Sequence, residues 1–346
     1  MADKTVVQEA IARLLDGESL SRETARRTME AIMDGEATPA QIGALLAAMR
    51  LKGETVDEVA GLAAGMRAKA DRVETVRDGL LDTCGTGGDG KHTINISTAS
   101  AIVAAAGGVR IAKHGNRAAS SRSGSADVLE ALGVRIALDR VQAARCLEET
   151  GFCFMFAQVY YPSFRHAAGP RRELGVRTVF NLLGPLTNPA GADRQLLGVF
   201  DREKTELMAS VLKELGAVRA LVVGGHDGLD EISLSAPTRV TELKDGKIRT
   251  YDITPDDLGL RQCRLEDIVG GDAAENAEMI RVVFSGRRGP HRDIVLANAG
   301  ACFYVAGAAG TLQEGVKRAA DAIDSGAATA KLEQLVKTTE ALAHVS

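Results

Sequence analysis

The 346-residue sequence contains no tryptophan and only eight phenylalanines and four tyrosines. A basic excess is missing too. Its 42 Lys and Arg stand against 46 Asp and Glu, a net charge of −4, which argues against a general nucleic-acid surface but not against a local basic pocket. Cysteine is sparse: Cys84, Cys146, Cys153, Cys263 and Cys302 are odd in number and widely spread. No two of them have metal-site spacing, so a disulfide framework is excluded and reduced thiols are expected. Cys84, beside a glycine-rich stretch, is read as an inert thiol in preference to a nucleophile. No uncharged run is long enough to span a bilayer, and Met1-Ala2-Asp3-Lys4 opens no apolar signal core. The expectation is therefore a soluble, cytoplasmic, untargeted protein with no membrane partner. What remains is an ordinary globular composition, long enough for one large domain and a smaller one.

Residues 1–72 read as helices only. Val6, Val7, Ile11, Leu14 and Leu15 recur at helical spacing, the mark of an amphipathic face. Thr38-Pro39-Ala40-Gln41 is a capping box with proline at the first helical position, Gly53 closes that helix, and Thr55-Val56-Asp57-Glu58 is a second box. Strand signals begin after Asp82. Short apolar runs at Val109–Ala112, Gly151–Ala157, Leu221–Gly224 and Asp293–Ala297 alternate with helical stretches, which implies a mostly parallel central sheet with helices on its faces. Lys244-Asp245-Gly246-Lys247 is a hairpin signal, so some strands are antiparallel. The chain closes with helices, the first capped at Thr311 and ending before Gly326. The fold class is α/β with a small helical domain ahead of it, and periodicity alone puts one boundary near residue 73.

The chemistry concentrates between Leu81 and Gly133. Cys84-Gly85-Thr86-Gly87-Gly88-Asp89-Gly90 is a loop almost without side chains, so its N–H groups can approach an anion closely. Asn95-Ile96-Ser97-Thr98 precedes a small-residue run from Ala99 to Ala106, the start of a helix whose positive end favours phosphate. Lys113-His114-Gly115-Asn116-Arg117 adds fixed cations after a short apolar run. Together these form a cradle for a heavily charged phosphorylated substrate. A P-loop is excluded because Gly90-Lys91-His92 does not continue as Gly-Lys-Ser/Thr, and the glycine spacing breaks the dinucleotide fingerprint. His92, His166, His226, His291 and His344 share no metal spacing.

These motifs resemble the anthranilate phosphoribosyltransferase family. So do Ser123-Gly124-Ser125-Ala126-Asp127, Arg171-Arg172-Glu173-Leu174-Gly175-Val176-Arg177-Thr178, Asn181-Leu182-Leu183-Gly184-Pro185-Leu186-Thr187-Asn188-Pro189 and Asp227-Gly228-Leu229-Asp230-Glu231-Ile232-Ser233. The resemblance covers nearly the whole chain. It implies a helical domain of residues 1–72, joined by an excursion of about 164–188, and a hinge to an α/β domain of 73–163 and 189–346. It further implies transfer of the phosphoribosyl group of phosphoribosyl pyrophosphate (PRPP) to the amine of anthranilate, with magnesium (Mg2+) as cofactor and a homodimer formed through the helical domain.

By the same resemblance, Gly85, Thr86, Gly87, Gly88, Asp89, Thr93, Asn95, Ser97, Thr98, Lys113 and Ser125 face PRPP. Gly85, His114, Asn116, Tyr161, Arg171, Gly184 and Pro185 face anthranilate, and Ser97, Asp230 and Glu231 face the metal. No catalytic acid or base is assigned, because an aromatic amine is nucleophilic while neutral and positioning carries much of the rate. Arg172 is the alternative to Arg171 if the register slips by one. Two departures concern the acceptor side. Tyr161 stands where the family commonly has a histidine, and the proline before Arg171 is shifted. The alternatives are a phosphoribosyltransferase for a related aromatic acid, a nucleoside phosphorylase of the same fold, whose Lys-His-Ser loop is absent, and a non-catalytic nucleic-acid-binding relative, which should be basic.

Overall fold

The computed structural model describes residues 4–118 and 122–344. Four helices come first: α1 (Val6–Leu15), α2 (Arg22–Met33), α3 (Pro39–Lys52) and α4 (Val56–Ala68). Their starts are set locally. Thr5, Thr38 and Thr55 each accept from the backbone three residues on, and Gln8, Gln41 and Glu58 return the bond. Glu58 is fully buried, yet its carboxylate accepts from Leu20 N–H at 2.9 Å and pairs with Lys52 at 2.9 Å. A buried charge is tolerable only when satisfied in this way, and here it ties α3 and α4 to the start of α2. A Cβ at Gly61 would lie 2.3 Å from the Arg22 carbonyl, so α4 needs glycine there to lie against α2.

The strands β1 (Leu81–Thr83), β2 (Ile111–Gly115), β3 (Phe152–Phe156), β4 (Arg194–Gly198), β5 (Arg219–Gly225), β6 (Thr238–Lys244) and β7 (Lys247–Ile253) form one sheet of order β3-β2-β1-β4-β5-β6-β7. The first five run parallel, with Leu81 beside both Ile111 and Arg194, and β6 and β7 are antiparallel. Asp245 and Gly246 have φ of 51° and 71° at the β6–β7 turn, the left-handed pair that a two-residue hairpin requires. Strand order reverses at β1, so the loops after β1 and β4 diverge and leave a crevice at their carboxyl ends.

The interleaved helices are α5 (Ile96–Ala106), α6 (Ser125–Ala131), α7 (Arg140–Thr150), α8 (Ala157–Tyr160), α9 (Arg165–Leu174), α10 (Phe180–Leu183) and α11 (Thr205–Glu214). After the sheet come α12 (Ala273–Phe284), α13 (Pro290–Val305), α14 (Leu312–Asp324) and α15 (Ala327–Ala343). Alternation along β3 divides the core. Phe152, Phe154 and Phe156 face the cluster with α5 and α13, whereas Cys153 and Met155 face the cluster that continues into α1–α4. Helix α9 packs on α2 and α3, and α10 on α4.

Two expectations need correction, and one strand went unread. Asp293–Ala297 is not a strand; it lies inside α13, where Ile294 to Ala297 are all buried. A helix buried on every side shows no 3.6-residue pattern, and a short apolar run cannot distinguish it from a strand. Strand β4 carried no signal that the sequence reading used. Helix α5 begins at Ile96 with Asn95 at the cap, so Ser97 and Thr98 lie within its first turn and do not precede it. Among the described residues, no helix is long and apolar enough to cross a membrane.

Candidate active site

The loop after β1 occupies the crevice. Gly87, Gly88 and Gly90 have φ of 65°, 75° and 70°, a left-handed path that side chains with Cβ resist. The loop is pinned at two points. Thr86 N–H donates to the Gly198 carbonyl at 2.8 Å, and Gly87 N–H donates to Asp230 Oδ2 at 2.7 Å. Gly85 sits beside that carboxylate, where a Cβ would approach Asp230 Oδ2 to 2.8 Å.

Lys113, in the middle of β2, is buried, and its Nζ donates to the Thr83 carbonyl at 2.5 Å and to Ser97 Oγ at 3.2 Å. The amine thus lies between β1 and the first turn of α5. Asn95 makes no cap bond. Its Nδ2 donates to the Ser123 carbonyl at 3.1 Å, and its Oδ1 accepts from Asn276 at 2.9 Å. Thr98 Oγ1 is buried without a partner among the described residues. Thr93 bridges Val269, and Ser125 Oγ donates to the Asn116 carbonyl at 3.3 Å.

Asp230 and Glu231 lie half-buried opposite Lys113. Burial, and then the neighbouring Asp89 charge, push Asp230 well above the ordinary carboxylate range; burial and Asp230 do the same to Glu231, against the pull of Lys113. Both carboxyls therefore hold their protons more tightly than exposed ones do, and a cation bound beside them would favour the charged forms. No group of three or more His, Cys, Asp or Glu among the described residues is placed to hold a metal. Magnesium, however, binds through one or two carboxylates and completes its shell with water and substrate phosphates. Two adjacent carboxyls held above their ordinary range, one of them bonded to the glycine loop, fit that ion.

The same geometry fixes a prediction. A Cβ on Gly198, at the end of β4, would lie 1.6 Å from the Asp230 carbonyl oxygen. Gly198→Ala must therefore displace Asp230 by more than an ångström, and kcat/KM should fall roughly 100-fold while the far-UV dichroism stays native. Wild-type turnover in that variant would show that Asp230 need not hold its place.

On the far side of β2 opens a cavity of about 480 Å³, lined among others by His114, Asn116, Tyr161, Arg171 and Gly184. His114 is buried, and burial lowers its pKa to about 4. Its Nδ1–H donates to the Gly184 carbonyl at 3.0 Å, leaving Nε2 unpartnered, so a neutral ring presents an acceptor. The Tyr161 hydroxyl donates to the Thr187 carbonyl at 2.6 Å, and burial keeps the phenol protonated. Arg171 has no hydrogen-bond or ion-pair partner among the described residues, and burial alone lowers its pKa. An unpaired guanidinium in an apolar wall calls for a carboxylate.

Gly85 and Pro185 lie outside the residues lining this cavity; the Pro185 carbonyl accepts from Gln195 at 2.7 Å. The sequence reading missed Met66, Arg165, Phe180 and Thr187, which also line it. Phe180 and Thr187 fall within or beside the quoted motifs; Met66, on α4, gave no signal at all. Burial pushes the Cys84 thiol up, consistent with an inert residue. A larger cavity, about 620 Å³ between α12 and α13, contains none of the predicted residues.

A helical bundle, an α/β domain and an anion cleft between strand ends define a class. Residues 8–70 match the helical bundle domain of the glycosyl transferase family, and residues 77–329 match its a/b domain. The anthranilate phosphoribosyltransferase of Brevibacillus brevis is 56% identical over 97% of this chain and 99% of its own. The crystal structure of the Thermus thermophilus anthranilate phosphoribosyltransferase (TrpD) superposes with a TM-score of 0.91 at 48% identity, covering 96% and 99% of the two chains. That of Saccharomyces cerevisiae in complex with PRPP and Mg gives 0.89 at 26% identity, over 98% and 99%. The chain belongs to the anthranilate phosphoribosyltransferase family.

Proposed function

We propose that the two halves of the cleft divide the reaction, with PRPP along the glycine loop and anthranilate in the cavity of Arg171. The chain is an enzyme that transfers the phosphoribosyl group of PRPP to the amine of anthranilate, in tryptophan biosynthesis, with Mg2+ as cofactor. The observation that carries the assignment of halves is that Arg171, without a hydrogen-bond or ion-pair partner among the described residues, lines a cavity together with His114, which directly follows Lys113 on β2.

Departure of pyrophosphate builds negative charge at the loop and positive charge on the ribose. The loop amides of Gly87 and Gly88 and the Lys113 ammonium stabilise the leaving group. Ser97, in the first turn of α5, adds a hydroxyl at the positive helix end, with Thr86, Asp89, Thr93, Asn95, Thr98 and Ser125 completing the donor site. Asp230 and Glu231, with Ser97, would hold magnesium, which neutralises phosphate charge when bound. On the acceptor side Arg171 orients the carboxylate. Neutral His114 lies along the acceptor, Asn116 adds a polar contact, and Tyr161 and Gly184 shape the wall. The test is loss of anthranilate fluorescence in the presence of PRPP and magnesium; no turnover, with PRPP still bound by calorimetry, would mean another acceptor.

We further propose that residues 164–188 move with the helical domain, that the enzyme works in the cytoplasm without nucleic-acid or membrane partners, and that it is a homodimer. Leu15 and Leu51 on the helical domain are 71% and 88% exposed, which leaves apolar surface for a second copy. Light scattering at micromolar concentration should give twice the chain mass of 36.4 kDa; a monomer overturns the dimer.

A further inference from the structure

Arg177 takes no part in the chemistry above, yet it joins three parts of the molecule. It lies in the stretch between α9 and α10, just beyond Arg171. Its guanidinium carbon sits 3.7 Å from the centroid of the Phe200 ring, past the end of β4, and its Nη2 donates to the Gly88 carbonyl in the glycine loop. Its own carbonyl accepts from Arg50 Nη1, in the last turn of α3, at 2.6 Å. Phe200 is tied to the same loop, its N–H donating to Thr86 Oγ1 at 3.2 Å. The helical domain therefore grips Arg177 by its backbone, and Arg177 grips the donor loop by its side chain. A guanidinium can stack flat on a ring and donate sideways at once, which an ammonium cannot.

The loop's bonds bear on what this grip does. Gly87 donates to Asp230 and Gly88 accepts from Arg177, so two adjacent loop residues are tied, one to Asp230 and the other to the stretch that follows α9. The Arg177 end leads back through Gly175, at φ 62°, to α9 and Arg171. We propose that Arg177 is a positioning residue that couples the glycine loop to the segment bearing Arg171, so that filling the donor site orders the acceptor arginine. This deepens the assignment of loop to PRPP and Arg171 to anthranilate, and rests on it.

The test is hydrogen–deuterium exchange on the full chain, following residues 85–91 and 171–178 with and without pyrophosphate plus magnesium. In the wild type both segments should slow together on ligand addition. In Arg177→Ala and Arg177→Lys the loop should still slow while 171–178 does not. The KM for anthranilate should rise about tenfold in Arg177→Ala, with kcat within about threefold and an unchanged Tm. Joint protection surviving in Arg177→Ala, or an unchanged KM, overturns the coupling. A lowered Tm with kcat and KM equally impaired would mean a structural role and overturns it too. If pyrophosphate protects neither segment in the wild type, the donor assignment itself fails, and the coupling with it.

Discussion

Changing Asp230 to Asn together with Glu231 to Gln should remove magnesium-dependent turnover, lowering kcat/KM by roughly 1,000-fold or more. A metal ion supplies several kcal/mol of charge stabilisation, and each ~1.4 kcal/mol is tenfold in rate. The variant should nonetheless fold, and the pKa directions say why. Both carboxyls titrate above their ordinary range in the folded protein, because burial disfavours the charged forms, helped by Asp89 beside Asp230 and by Asp230 beside Glu231. A raised acid pKa means that the folded state holds its proton more tightly than the unfolded chain. In the metal-free protein the pair therefore favours folding least once pH has risen past both folded values, and most when both carboxyls are protonated. Amide substitution removes that cost, so at pH 8 the metal-free variant should melt no lower than the metal-free wild type. Magnesium should raise the Tm of the wild type more at pH 8 than at pH 6, and leave the variant unmoved. Magnesium-dependent turnover persisting in the double variant would place the metal elsewhere.

What could be read from the sequence was what is decided locally. The capping boxes at Thr38 and Thr55 are contacts across three residues, and the Asp245-Gly246 turn is fixed by two left-handed residues. The glycine loop could be recognised because a chain with so few side chains there has few purposes other than a close approach. Where tertiary contacts decide, the reading failed. Ser97 and Thr98 are capping residues by type, yet the cap is Asn95, whose side chain bonds Ser123 and Asn276 and not the helix, so residue type alone does not place the helix start. Ile294 to Ala297 are buried by neighbours on all sides, which erases the pattern that marks a helix. Met66 lines the cavity of His114 and Arg171 because α4 lies against α10, and no local signal encodes that. Arg177 stood inside a quoted motif without a role, since its partners Arg50, Gly88 and Phe200 are remote in sequence.

Arg171→Ala should raise the KM for anthranilate by roughly 100-fold or more, leaving the affinity for PRPP within about twofold. Truncating one partner of a desolvated, hydrogen-bonded charge pair costs about 2–5 kcal/mol, much of it the carboxylate left unpaired. Arg171 would form such a pair only with the acceptor: it lines the cavity, burial lowers its pKa, and no partner among the described residues offsets its charge. Arg171→Lys should recover only part of the loss, because a point charge cannot meet a carboxylate with two parallel bonds. Arg172 is exposed and absent from the cavity lining, so Arg172→Ala should change KM by less than about twofold, in line with surface charges generally. That contrast decides the register of the motif. If Arg172→Ala carried the larger effect, the acceptor would lie outside the cavity of His114 and Tyr161. Aniline, which lacks the carboxylate, separates orientation from packing: with the wild type it should turn over about as poorly as anthranilate does with Arg171→Ala. Equal loss of both acceptors in the variant would mean that Arg171 supports the fold of α9 and does not read the carboxylate.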